Sequence, residues 1–149
     1  MFINFGKKNI IMNNTIFIIG LPGSGKSTYA SSKYGESIVF DDFITTFATG
    51  EINNVLKNKK RNLSNIVLID PRLCKIIEFQ KFYAYIKQFV PSNSIEVILF
   101  ENDVQKCVLN KPKLKELINK LSEEYSIENI IKCLDNNNYT ILPCYSEDT

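Results

Sequence analysis

Short continuous apolar runs alternate along this chain with longer segments in which apolar residues recur every three or four positions. Five runs, at residues 16–19, 37–40, 66–69, 95–100 and 139–142, are short and apolar enough for strands of a sheet covered on both faces. Their alternation with helical stripes predicts βαβ units around a parallel sheet, an α/β fold. Between the third and fourth runs, Phe79, Phe82, Tyr83, Ile86 and Val90 repeat at helical spacing, and Pro91 ends the segment. The aromatic side chains at 79–85 are read as packing of a crossover helix rather than as a base-stacking surface. Leu114, Leu117, Ile118 and Leu121 form another stripe, and Ile127, Ile130, Ile131 and Leu134 a third, opened by Ser126 as N-cap; all are expected to face the core. No repeat or long linker interrupts the series. Residues 1–149 therefore read as one domain, with 1–11 as an N-terminal extension and Met12 as an alternative start.

Composition narrows the chemistry. With 44% hydrophobic and 23% charged residues, the chain has enough apolar surface for a packed core and is neither disordered nor fibrous. Eighteen basic and sixteen acidic residues leave a net charge of +2, so any contact with nucleic acid or an anionic membrane has to be local. Histidine is absent, which excludes a Ser-His-Asp triad, a Cys-His pair and every histidine metal site. Cys74, Cys107, Cys133 and Cys144 form no C-x-x-C pair and lie among apolar neighbours, as reduced buried thiols do. No apolar run is long enough to span a membrane, and the first twelve residues lack the features of a signal peptide. A soluble cytoplasmic protein is expected.

The sharpest chemical signal is Gly20-Leu21-Pro22-Gly23-Ser24-Gly25-Lys26-Ser27, followed by Thr28, a full match to G-x-x-x-x-G-K-[ST]. It follows an apolar run and leads into a helical segment from Lys26, the strand-loop-helix setting that the motif needs. Glycines let successive backbone N–H groups turn inward around a phosphate, and the helix start adds partial positive charge. Lys26 would reach the β- and γ-phosphates of ATP. Ser27 would ligate Mg²⁺, and Thr28 would stand near the α-phosphate.

Ligands of an open parallel sheet bind beyond the carboxyl ends of its strands. The residues expected there are acidic: Asp41 and Asp42 after the second run, Asp70 after the third and Glu101 after the fourth. Asp70 is the candidate second Mg²⁺ ligand. Asp41 or Asp42 would orient an acceptor hydroxyl and take its proton, and the residues leave both open. Together, residues 20–28, the Asp41-Asp42 pair and Val67-Leu68-Ile69-Asp70-Pro71-Arg72 resemble the small P-loop kinases, in particular the polynucleotide-kinase-like and zeta-toxin-like group. Residues 97–103, with Cys107 and Asn110 beyond, look like the fourth strand and start of the lid in that group. The resemblance implies a three-layer P-loop NTPase fold with a five-stranded parallel sheet, the strand before the loop central and the Asp70 strand beside it. It also implies ATP as donor and a hydroxyl as acceptor.

Such kinases usually carry lid arginines, whereas this chain has only Arg61 and Arg72. Lys111, Lys113 and Lys115 occupy the expected lid, with Lys111 and Lys113 the candidate phosphate contacts; lysine binds phosphate as a point charge without a bidentate fork. A GTPase is disfavoured because no D-x-x-G follows the third run and Asn110-Lys111-Pro112-Lys113 lacks the Asp of N-K-x-D. A remodelling ATPase is disfavoured because Pro71 stands where an Asp-Glu pair would continue. A nucleotide-binding module without turnover and a small-molecule kinase are the alternatives kept. The basic cluster Lys57, Lys59, Lys60 and Arg61 inclines the acceptor towards a nucleic-acid or nucleotide hydroxyl.

Overall fold

The structure, a computed structural model, describes residues 2–4, 9–11, 14–57 and 65–145, the first two stretches as backbone alone. In the stretch read as an extension, β1 (Phe2–Asn4) and β2 (Asn9–Ile11) pair antiparallel, with Phe2 opposite Ile11. The five apolar runs become β3 (Thr15–Ile19), β4 (Ile38–Phe40), β5 (Ile66–Ile69), β6 (Ile95–Phe100) and β7 (Tyr139–Leu142). They form one sheet in the order β4-β5-β3-β6-β7, and every pairing is parallel. The register sets Ile18 beside Ile69, Ile19 beside Leu99, and Phe100 beside Leu142. Gly20, Asp70, Glu101 and, from β4, Asp41 therefore leave the sheet at one edge.

Parallel strands need crossovers, and here helices supply them. They are α1 (Lys26–Lys33), α2 (Phe43–Phe47), α3 (Glu51–Lys57), α4 (Ile76–Lys87), α5 (Val104–Asn110), α6 (Lys115–Glu124) and α7 (Ile127–Lys132). Side chains alternate along a strand, so the two faces of β3 are covered by different helices. Phe17 meets Phe43 of α2 at 6.3 Å and Phe79 of α4 at 5.5 Å between ring centroids. On the other face, Glu96 sits opposite Ile16 in the register and accepts a hydrogen bond from Tyr34 Oη at the end of α1. Phe79, Phe82 and Tyr83 are buried, as core packing requires.

Three expectations need correction. The edge strands β4 and β7 are only partly covered, because an edge strand has a neighbour on one side alone; Val39 and Ile141 are exposed. In the stripe around α6 only Ile118 and Leu121 are buried. Leu114 ends a 3₁₀ turn, Pro112–Leu114, ahead of the helix, and it and Leu117 lie on the surface. The stripe of α7 does face the core: Ile130 is buried, and Ile127, Ile131 and Leu134, the last just beyond the helix end, pack against it partly buried, while Ser126 caps the helix as expected, accepting from Asn129 N. Of the cysteines, Cys133 is half-buried rather than buried, and all four are free. Among the described residues no helix is long and apolar enough to cross a membrane.

Phe17→Ala removes the ring on which the α2 and α4 aromatics converge, and is expected to cost about 3–5 kcal/mol. Leu117→Ala, on the exposed face of α6, is expected to change stability by no more than about 0.5 kcal/mol. Urea denaturation of the two variants measures both.

Candidate functional site

The turn from β3 into α1 is built by residues that can reverse the chain in little space. Gly23 and Gly25 have φ of 84° and 105°, the left-handed region that side chains disfavour. A Cβ on Gly23 would also lie 2.5 Å from the carbonyl oxygen of Cys107, so α5 approaches the loop as closely as a glycine permits. Pro22 is buried within the turn. Lys26 folds back across it, its Nζ donating to the carbonyls of Gly20 and Leu21, each at 2.8 Å. It is 7% exposed, and burial lowers its pKa from the ordinary 10.5. Beside it, Ser24 Oγ is buried without a hydrogen-bond partner. The first turn of α1 carries no acidic residue, and Gly25 offers no side-chain cap, so no residue of the helix itself neutralises its positive end.

Two elements clamp this loop from outside. Asn110, at the end of α5, donates from Nδ2 to the carbonyls of Gly23 and Tyr145, each at 2.9 Å. Tyr145, after β7, donates its N–H to the Ser24 carbonyl at 2.9 Å. A cavity of about 320 Å³ opens between the clamp and the loop, lined by Lys26, Ser27, Thr28, Asn110, Lys111 and Tyr145 among others. Lys111 is thus brought to the loop, while the exposed Lys113 does not line the cavity. Nothing in the sequence singles out Tyr145, and Asn110 is expected only at the start of the lid.

The carboxylates divide into two sets. Ser27 Oγ donates to Asp41 Oδ2 at 3.0 Å. Asp42, the next residue, turns instead to Arg72, accepting from Nη2 at 3.2 Å, and Thr45 Oγ1 accepts from the same nitrogen at 2.9 Å. Asp70 does not meet Ser27. Its Oδ1 accepts from Arg72 N and Nε, each at 2.9 Å, and its Oδ2 from Arg72 Nη2 at 2.8 Å and Ile44 N at 3.1 Å. The carboxylate beside the candidate metal-binding hydroxyl is therefore Asp41, while Asp70 forms an ion pair with Arg72. The reason is local: Asp70 caps a 3₁₀ turn, Pro71–Cys74, with proline at its first position, and that turn folds Arg72 back onto its own cap. Asp-Pro-x was the available signal. Burial works to raise the pKa of Asp70, but the hydrogen bonds from Arg72 and Ile44 outweigh it and hold the carboxyl below its ordinary 3.8. Glu101 is exposed and joins neither set.

An uncharacterized protein of Acanthamoeba polyphaga mimivirus, R277, is 34% identical over 122 residues, covering 75% of this chain and 86% of that protein. The chain belongs to the family of that viral protein. No protein-family model matches the sequence.

The depressed pKa of Asp70 means that the native state binds fewer protons than the unfolded chain in that range, so the ion pair's stabilisation is present above pH 3.8 and is lost as pH falls through the lower native value. Asp70→Asn is expected to cost about 2 kcal/mol at neutral pH and to flatten this acid limb, because it replaces a buried carboxylate that accepts charge-assisted hydrogen bonds from the half-exposed Arg72. Denaturation followed as a function of pH checks both effects.

Proposed function

We propose that this chain is an ATP-dependent phosphotransferase of the three-layer P-loop NTPase fold, similar to the polynucleotide-kinase-like and zeta-toxin-like kinases, and that it moves the γ-phosphate to a hydroxyl acceptor. The observation that carries the reading is the loop at 20–28. It joins a buried central strand to a helix start with no acidic residue, holds a buried ammonium, and contains a buried hydroxyl, Ser24 Oγ, without a partner. An anion with several acceptor oxygens would satisfy these groups together, in place of the two carbonyls that accept from Lys26. Tyr145, half exposed at the cavity wall, offers an aromatic surface for the base.

Mg²⁺ bound with the nucleotide would neutralise charge on the β- and γ-phosphates. It takes oxygen ligands and retains most of its waters, so the pair Ser27 and Asp41 is a sufficient protein contribution; Asp70 would have to give up four hydrogen bonds to take part. Asp42, held out by Arg72 and largely exposed, is then the carboxylate left to orient the acceptor hydroxyl and accept its proton. Lys26 and Lys111 supply the positive charge around the transferring group in place of lid arginines.

The lean towards a nucleic-acid or nucleotide acceptor comes from the basic cluster, of which Lys57 closes α3 while Lys59, Lys60 and Arg61 lie outside the described residues. A small-molecule hydroxyl is the other acceptor. A cytoplasmic location, with ATP at hand and four free thiols, goes with the same reading. The closed Asp70–Arg72 pair favours a second reading, a nucleotide-binding module without turnover.

Transfer from labelled ATP to a panel of hydroxyl acceptors separates these readings. Lys26→Ala is expected to lower both binding and transfer at least about a hundredfold. Asp42→Asn should preserve ATP binding and slow transfer about a hundredfold or more, while Asp41→Asn should raise the Mg²⁺ concentration that binding requires. Acceptor binding that weakens steeply with salt points to a polynucleotide. ATP binding without transfer to any acceptor establishes the module, and no ATP binding overturns the proposal.

A further inference from the structure

The two elements that clamp the loop each carry a buried cysteine, and the two sulfurs face one another. Cys107 lies in α5 and is 0% exposed; Cys144 follows β7, next to Tyr145, and is 4% exposed. Their Sγ atoms are 3.8 Å apart. Cys144 Sγ also donates to the Glu101 carbonyl at 3.1 Å, so the thiols form a short chain that ends on a backbone oxygen. The other cysteines are placed differently. Cys133 bonds to Asn129 O on its own helix and to Gln80, and Cys74 is a buried thiol whose pKa is pushed up to about 12 by burial.

We infer that Cys107 and Cys144 are an oxidation site, a dithiol that closes to a disulfide and locks the clamp on residues 23–25. A disulfide needs its sulfurs about 2.05 Å apart, so each must move by less than about 1 Å, within the reach of a side-chain rotation and a small backbone shift. The hydrogen bond between the sulfurs lowers the pKa of Cys144 and raises that of Cys107, which makes Cys144 the first nucleophile. With a low-molecular-weight disulfide as oxidant, the Cys144 thiolate attacks one of its sulfurs and expels a thiolate, forming a mixed disulfide. Cys107 then loses its proton, attacks Cys144 Sγ and expels the second thiolate. The pair gives up two electrons and two protons, and the reagent leaves as two thiols.

The consequence for the loop follows from its contacts. The carbonyl of Cys107 lies against Gly23, where not even a Cβ fits, and Asn110 on the same helix ties Gly23 to Tyr145. Tyr145 in turn bonds Ser24. Of these links, the Asn110–Tyr145 hydrogen bond joins α5 directly to the segment after β7, and it opens when the two separate; the others tie each arm to the loop. A covalent bond between Cys107 and Cys144 prevents that separation. This holds whatever the loop binds, so it goes beyond the kinase reading.

The test oxidises the full-length protein with oxidised glutathione, counts its free thiols, and identifies linked peptides by mass spectrometry without reduction. The expected result is loss of two of the four thiols, a linked pair containing Cys107 and Cys144, and recovery of both with dithiothreitol. Amide hydrogen exchange at residues 23–25 should slow about tenfold in the oxidised protein, and Cys144→Ala and Cys107→Ser should both lack this slowing. Four persistent thiols, a link through Cys74 or Cys133, a disulfide between chains, or unchanged exchange in the linked form would overturn the inference. Because none of these measurements uses nucleotide, failure of ATP binding would sink the kinase reading alone.

Discussion

A chain that leaves a fully buried strand and enters a helix within six residues has to turn its backbone groups somewhere, and here one side chain takes that role. The Lys26 ammonium sits over the carbonyls of Gly20 and Leu21, closing the turn from the inside. Burial makes this an expensive place for a cation, as the lowered pKa of Lys26 records. Two carbonyls accept from it, and the pull of Asp41 and Asp70 does not offset the burial. Under the proposed function, the ammonium exchanges those carbonyls for the oxygens of a bound anion. The orphaned Ser24 hydroxyl beside it makes the same demand. A loop that buries an ammonium and an unpartnered hydroxyl at the mouth of a well-packed sheet gives up stability locally.

The rest of the architecture serves that loop. Phe17 and its neighbours hold β3 at the centre of the sheet, so its carboxyl end stands between two other strand ends rather than at a margin. Asp41, which follows β4, arrives beside the start of α1 because Phe40 is in register with Leu68, one strand away from β3. On the other side, α5 and the segment after β7 meet over Gly23 and Gly25. The absence of a Cβ at both positions is what allows that closeness.

The arrangement least legible in the sequence is that of Asp70. In isolation it is an acidic residue at the end of an apolar strand, and nothing in its position along the chain says which side chain it meets. The fold brings it to Arg72. A carboxylate at 0% exposure that accepts four hydrogen bonds is satisfied and held in place. Its effect reaches the site indirectly: the same Arg72 nitrogen that meets Asp70 also holds Asp42 and Thr45, drawing Asp42 away from Ser27 and leaving that hydroxyl to Asp41. Two adjacent aspartates thus acquire different neighbours through a guanidinium thirty residues away.

What the order of residues settled was whatever depends on near neighbours. The apolar runs set the strands almost to the residue, Gly23 and Gly25 required a turn that only glycine tolerates, and Ser126 capped its helix, because each of these follows from interactions within a few positions. What waited for the folded chain was every relation between distant segments. Which face of α6 is buried, which aspartate meets Ser27, that Asp70 closes on Arg72, and that Asn110, Tyr145 and the Cys107–Cys144 pair converge on the loop all depend on contacts made through space. Strand order and helix docking create those contacts, and no periodicity along the chain encodes them.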